Sequence, residues 1–154
     1  MTPGASWLVV LAVAFTPELE SRASIPLALL AYHMSLALAI TLTLVGNLAG
    51  AVLAWWMLPS VARGMRKVAW LGRSLDWLVD HTRRRAGGKV GVLKEIGLLL
   101  FIGVPLPGTG AWAGVAAARL FGIPGRKAFW PVVLGTVMAA VLVALLVQTG
   151  RILL

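Results

Sequence analysis

Between Lys94 and Gly122 the sequence reads KEIGLLLFIGV, then PLPGTG, then AWAGVAAARLFG, two short apolar runs joined by Pro105, Pro107, Gly108 and Gly110. Each run is about ten residues, roughly 15 Å as a helix, which is half of a bilayer's ~30 Å hydrocarbon core. Proline lacks the N–H a continuing helix needs and clashes with the preceding turn. Neither run therefore crosses a membrane alone, and the pair predicts a helical hairpin whose tip stops at midplane depth. Irregular backbone survives there only where protein buries it or a wet cavity receives it. Broken helices of this kind line substrate and ion sites.

A membrane setting follows from composition. Of 154 residues 60% are hydrophobic and 12% charged, about half the charged share of a soluble domain; the mean hydropathy is +0.92. There is no cysteine, which excludes disulfides and thiolate chemistry. The net charge of +9 is unevenly placed: nine of the fourteen Lys and Arg lie between Arg63 and Lys94, with Arg119, Arg126 and Lys127 further on. Such clustering marks cytoplasmic loops. No aromatic and basic recognition motif accompanies it, so nucleic acid is not an expected partner. The apolar N-terminus lacks the basic start of a signal peptide and reads as mature sequence.

In chain order, residues 5–15 form an apolar arm that stops at Thr16-Pro17-Glu18-Leu19-Glu20-Ser21-Arg22, and a second arm runs from Ala23 to Tyr32. Pro26 falls in the first turn of that arm, where proline is helix-compatible. This repeats the plan of 94–122, so residues 5–32 predict a first re-entrant hairpin. Met34 to Leu58 is long enough to cross, and Trp55 and Trp56 at its end suit a headgroup region. From Ser60 to His81 apolar residues recur every three or four positions among charges, which predicts an amphipathic helix on the cytoplasmic leaflet, followed by a basic linker to residue 93. Ala128 to Thr149 forms the second full span.

The chain therefore reads as one all-α integral membrane domain built from two similar halves, 5–58 and 94–149. Pro17 precedes Pro105 by 88 positions, and Gly46-Asn47 precedes Gly135-Thr136 by 89. One crossing separates the hairpins, so they enter from opposite faces as an inverted repeat. Charge counting puts the basic loop 59–94 and residues 123–127 in the cytoplasm and both termini outside the cell membrane. The plainer alternative makes 5–31 and 94–121 ordinary kinked transmembrane helices, and it predicts a cytoplasmic N-terminus.

Ionisable groups at a hairpin tip are costly, at least ~2.5–3.5 kcal/mol each on insertion scales. Glu18, Glu20 and Arg22 therefore need partners. Glu18 and Arg22, four apart, could pair on a helical turn; either Glu could be the one that takes a proton while the other stays paired, with Glu20, which lacks that partner, slightly favoured. Each returning arm begins at its tip, so its positive N-terminal end points at the membrane centre. Two such ends and Arg22 make an anion-attracting pocket. Gly108 and Gly110 let backbone approach a ligand, and the Thr109 hydroxyl is an available donor. Asn47 is a lone amide in the first span, suited to an interhelical hydrogen bond or to a place beside the tips. Arg119 is expected to snorkel to the cytoplasmic interface, with a phosphate or headgroup contact as its functional reading. His33 and His81 are isolated, and no nucleophile and base pair, P-loop or dinucleotide fingerprint is found. Neither an enzyme, a metal, a cofactor nor direct ATP coupling is expected.

Phe15 to Pro26 (FTPELESRASIP), Gly46-Asn47 and Pro105 to Trp112 (PLPGTGAW) resemble the motifs of the small multidrug export protein family. That family is in turn similar to the DedA/VTT membrane proteins, for which two opposed re-entrant hairpins are proposed. The resemblance implies transport, with drug export and flipping of polyprenyl-phosphate lipid carriers as its two suggestions. By position, Glu18, Glu20 and Arg22 match the family's acidic and basic tip and Pro105 to Gly110 the second tip. DedA proteins carry more charge around their hairpins than this chain does.

Three readings result. The first is a secondary transporter that couples protons to an anionic or amphiphilic substrate among membrane lipids, working as a homodimer. The second is a proton-coupled exporter of cationic lipophilic drugs with the two Glu as counter-charges. The third is a membrane scaffold subunit without transport.

Overall fold

The computed structural model describes residues 3–67, 73–74, 76–77, 80, 91–106 and 108–153. Among these every regular element is helical: α1 (Pro3–Phe15), α2 (Glu20–Pro26) with a π-helical turn over Leu27–Ala31, α3 (Leu36–Arg66), α4 (Gly91–Gly103), α5 (Ala111–Leu120) and α6 (Gly125–Leu153). The helices α3 and α6 are long and apolar enough to cross a membrane. At 31 and 29 residues they exceed the ~20 residues that a span requires. Of the predicted amphipathic segment 60–81, residues 68–72, 75, 78–79 and 81 lie outside the described residues, as do residues 82–90 of its linker.

Several boundaries differ from expectation: α2 begins at Glu20 rather than Ala23, so Pro26 ends it instead of falling in its first turn, and α6 runs from Gly125 to Leu153 rather than from Ala128 to Thr149. The first long helix does not end at Leu58 but runs through Pro59 to Arg66, so residues 60–66 extend the span instead of opening a separate helix. Pro59 supplies no N–H to the Trp55 carbonyl four residues earlier, a loss that ordinarily breaks a helix. Here Arg119 Nη2 donates to that carbonyl instead.

Small residues set the tightest helix pairs. In α3, a Cβ at Gly46 would lie 2.6 Å from Ala14 Cβ and 2.8 Å from the Leu11 carbonyl of α1. In α6, a Cβ at Gly135 would lie 2.8 Å from Ile102 Cβ and 2.8 Å from the Leu99 carbonyl of α4. Leu11 and Leu99 are 88 positions apart, Ala14 and Ile102 also 88, Gly46 and Gly135 89. The same three-point contact thus occurs twice, once per half.

Two cores follow. Val10, Ile25, Ala28 and Leu29 of the first helix pair pack with Ala39 at the start of α3 and with Ala140, Val143 and Ala144 late in α6. Leu98, Ile102, Ala111, Val115 and Ala118 of the second pack with Ala51 and Ala54 further along α3 and with Ala128 and Val132 early in α6. The helices α3 and α6 are therefore antiparallel, and the two broken units approach them from opposite ends. Between the cores lie the buried polar residues Thr43, Asn47 and Thr136, at the level where the units meet.

Candidate functional site

The two tips are capped by each other. Gly110, with φ 144°, precedes α5 and has no side chain with which to cap it, so the first N–H groups of that helix need an outside acceptor. Glu20 supplies it from 91 residues away: Ala111 N–H donates to Oε2 at 3.0 Å and Trp112 N–H to Oε1 at 3.2 Å. The carboxylate is buried, 5% exposed at the residue level, and bonds from two amides at a helix N-terminus are among the few arrangements that stabilise a charge there. The opposite end is served in return, since the Trp112 indole Nε1–H donates to the Phe15 carbonyl at the C-terminus of α1, at 3.0 Å. The Phe15 and Trp112 rings meet edge to face, 6.1 Å between centroids. Gly50 leaves room for this indole: a Cβ there would stand 2.5 Å from Nε1.

Arg22 makes the third link. Its Nη2 donates to the Thr109 carbonyl and to Thr109 Oγ1, the latter at 2.8 Å. The Thr109 hydroxyl also accepts from Leu106 N–H at 3.2 Å and lies 2.8 Å from the carbonyls of Val104 and Leu106, to either of which it can donate. One hydroxyl therefore ties the whole second tip and presents it to the guanidinium. Glu20 has φ 38°, a left-handed conformation that a non-glycine residue holds only at a cost of about 1–3 kcal/mol. The contacts just described offset that cost.

The predicted site residues divide as follows. Glu20, Arg22, Thr109 and Gly110 come together. Glu18 is exposed, and Arg22 bonds Thr109 rather than Glu18; the ion pair among the described residues is Arg66 with Asp76. Pro105 and Gly108 shape the second tip, Gly108 exposed with φ 80°. Pro107 lies outside the described residues. Asn47 is 1% exposed, and its Oδ1 has no partner among the described residues. It stands one turn along α3 from Thr43, whose hydroxyl is 2.9 Å from that of Ser24 on α2.

Arg119 stands apart, eight residues or about 12 Å along α5 from Ala111. Rather than reaching free into an interface, it lies over the Trp55 ring, 4.1 Å from the centroid, and holds the Trp55 carbonyl. Trp112, Phe15 and Gly50 were not among the predicted site residues. A tryptophan placed directly after a Pro and Gly tip, rather than at the end of a long span where indoles prefer the headgroups, was the available signal for the first. Among the described residues no three His, Asp or Glu side chains form a metal cluster.

Compared with models of known families, residues 20–142 match the family described as "Putative small multi-drug export protein". No curated protein and no solved structure matches the chain.

Proposed function

The chain belongs to the small multidrug export family, and from that premise we propose that it is a secondary transporter whose substrate is anionic or amphiphilic and moves with a proton through Glu20. One observation carries the reading: the Glu20 carboxylate occupies the N–H groups of Ala111 and Trp112, the donors that a substrate anion would use. Glu20 acts as a tethered stand-in for that anion. Once protonated it no longer bonds both amides strongly, and the vacated N-terminus accepts the substrate's negative group, with the Thr109 hydroxyl and Arg22 beside it. With Arg22 positive, the site is neutral whether it holds ionised Glu20 alone or protonated Glu20 plus one anion. Two anions together would leave an uncompensated buried charge, which is strongly unfavourable. That exclusion couples the proton to the substrate.

In this reading the two units are re-entrant hairpins of an inverted repeat. The twice-used Gly46 and Gly135 contacts and the two cores at opposite ends of α3 and α6 support it. The basic loop 59–94 is cytoplasmic and both termini are outside. A chain without cysteine makes this easy to test: a cysteine at position 2 is labelled by an impermeant reagent in intact cells, whereas kinked crossing helices would require permeabilisation. A phosphate-headed lipid carrier is the most concrete substrate, and a homodimer supplies the further surface that two spans need to enclose a path.

Proteoliposomes loaded with a pH-sensitive dye test the coupling. Addition of a substrate anion, a polyprenyl phosphate being the first choice, should drive proton uptake in the native protein. Glu20→Gln should abolish the proton signal, and Arg22→Ala should abolish anion binding. An unaltered proton signal in Glu20→Gln defeats the reading. The family's description favours one competitor, export of cationic lipophilic drugs with Glu18 and Glu20 as counter-charges. There Arg22→Ala should improve binding of the cation rather than destroy transport.

A further inference from the structure

Away from the tips, an apolar groove of about 350 Å³ opens between α3 and α6, lined by Leu48, Ala51, Val52 and Trp55 on one side and Ala128 and Val132 among others on the second. Its walls stay largely uncovered: Val52 is 60% exposed, Trp56 76% and Phe129 57%. The groove is apolar along its length but not symmetric at its ends. Leu48 and Val133 close one end. At the other, Gly125 packs against the Trp55 ring, a Cβ there falling 2.8 Å from Trp55 Cζ2. The exposed Arg126 and Lys127 follow at once in the chain. Arg119 rests on the same Trp55 ring, and its Nε is buried without a partner among the described residues. None of the acidic residues lines this groove; Asp76 is held by Arg66, and Glu20 serves α5.

From this asymmetry we infer that the groove holds an anionic glycerophospholipid as a resident, non-transported lipid. One acyl chain lies along the 48–56 face of α3, about 12 Å long, and its phosphate sits at the basic end formed by Arg119, Arg126 and Lys127. The chemistry is that of an amphiphile: apolar walls take the tail, and cations with no acid beside them take the head. The indole of Trp55 separates the two zones, an arrangement that suits its ring at a headgroup boundary. The site is independent of the proposed transport step, because it uses neither Glu20 nor Thr109.

The test uses the full chain, delipidated in a neutral detergent, with dioleoylphosphatidylglycerol or dioleoylphosphatidylcholine added in equal amounts and bound lipid counted by native mass spectrometry. The phosphatidylglycerol should bind more tightly by roughly 30- to 150-fold, the order expected of two or three surface cations. Val52→Trp, which fills the groove from an exposed position, should remove most binding of both lipids. Arg126→Gln with Lys127→Gln should remove most of the preference for the anionic lipid, leaving only the share that Arg119 supplies. All three positions are exposed, so these variants leave the cores intact. Equal binding of the two lipids overturns the inference, as does a preference that survives Val52→Trp. So does efficient disulfide formation between two Val52→Cys copies in proteoliposomes, which would make the groove an interface between copies of this chain.

Discussion

A Cβ placed on Gly110 would lie 2.6 Å from the carboxyl carbon of Glu20, so the smallest residue of one tip and the buried acid of the other occupy a single space. Gly110 is required twice over, once by its φ of 144° and once by the carboxylate that seals α5. Gly110→Ala should therefore destabilise the protein by more than the roughly 1–3 kcal/mol of backbone strain alone, because the carboxylate must also withdraw from Ala111 and Trp112. A double-mutant cycle with Glu20→Ala separates the parts. Thermal unfolding in detergent should show a coupling of about 0.5–3 kcal/mol, with Glu20→Ala relieving part of the Gly110→Ala defect. Strict additivity would mean that the two residues do not share the space described.

The indole of Trp112 makes one hydrogen bond and one ring contact, and they can be removed in order. Trp112→Phe deletes the bond to the Phe15 carbonyl and should cost about 0.5–1.5 kcal/mol. Trp112→Ala removes the edge-to-face partner as well and should cost more, about 2–3 kcal/mol, below the range for a fully buried aromatic because the ring is only partly buried. Unfolding midpoints of the two variants and the native chain measure both steps.

How much of this arrangement was legible beforehand depends on how local its cause is. The breaks at Pro17 and Pro105 are local, because a missing N–H acts on its own turn, and both appear where the sequence placed them. The two long apolar helices were readable for the same reason. The slight preference for Glu20 over Glu18 rested on a pairing of Glu18 with Arg22 that does not form, since the choice turns on which side chain faces a helix that begins 91 residues later. Arg22 offered Glu18 at a plausible spacing, yet Thr109 of the opposite tip takes its guanidinium. Pro59 reads as a stop in any local scheme, yet the helix runs through it, and the carbonyl it leaves open is taken up by the distant Arg119.

The equivalence of the two halves can be measured at Gly46 and Gly135. Each admits a neighbouring carbonyl within 2.8 Å of an added Cβ, so Gly46→Ala and Gly135→Ala should both destabilise, by about 1–3 kcal/mol for overpacking, and by similar amounts. Gly64 is helical too, but nothing lies within 4 Å of its Cβ position. There Gly64→Ala should stabilise by about 0.5–1 kcal/mol through backbone entropy. A large cost at only one of the first two sites would argue against matched packing.

The pairing of Pro59 with Arg119 makes the last prediction. Arg119 donates to the carbonyl that Pro59 leaves open, so Arg119→Gln should cost about 1–3 kcal/mol by stranding a buried acceptor. Pro59→Ala restores an N–H at position 59, and the helix is already continuous there, so that N–H can bond the Trp55 carbonyl without rearrangement. In the background of Pro59→Ala, Arg119→Gln should then lose most of its cost, leaving only the stacking on Trp55, about 0.5–1 kcal/mol or somewhat more where water is excluded. The comparison is a difference between two pairs of unfolding midpoints, each read in the same detergent. If Arg119→Gln is equally damaging with and without the proline, the guanidinium serves the charge and the ring rather than the carbonyl, and the continuity of α3 through residue 59 needs another cause.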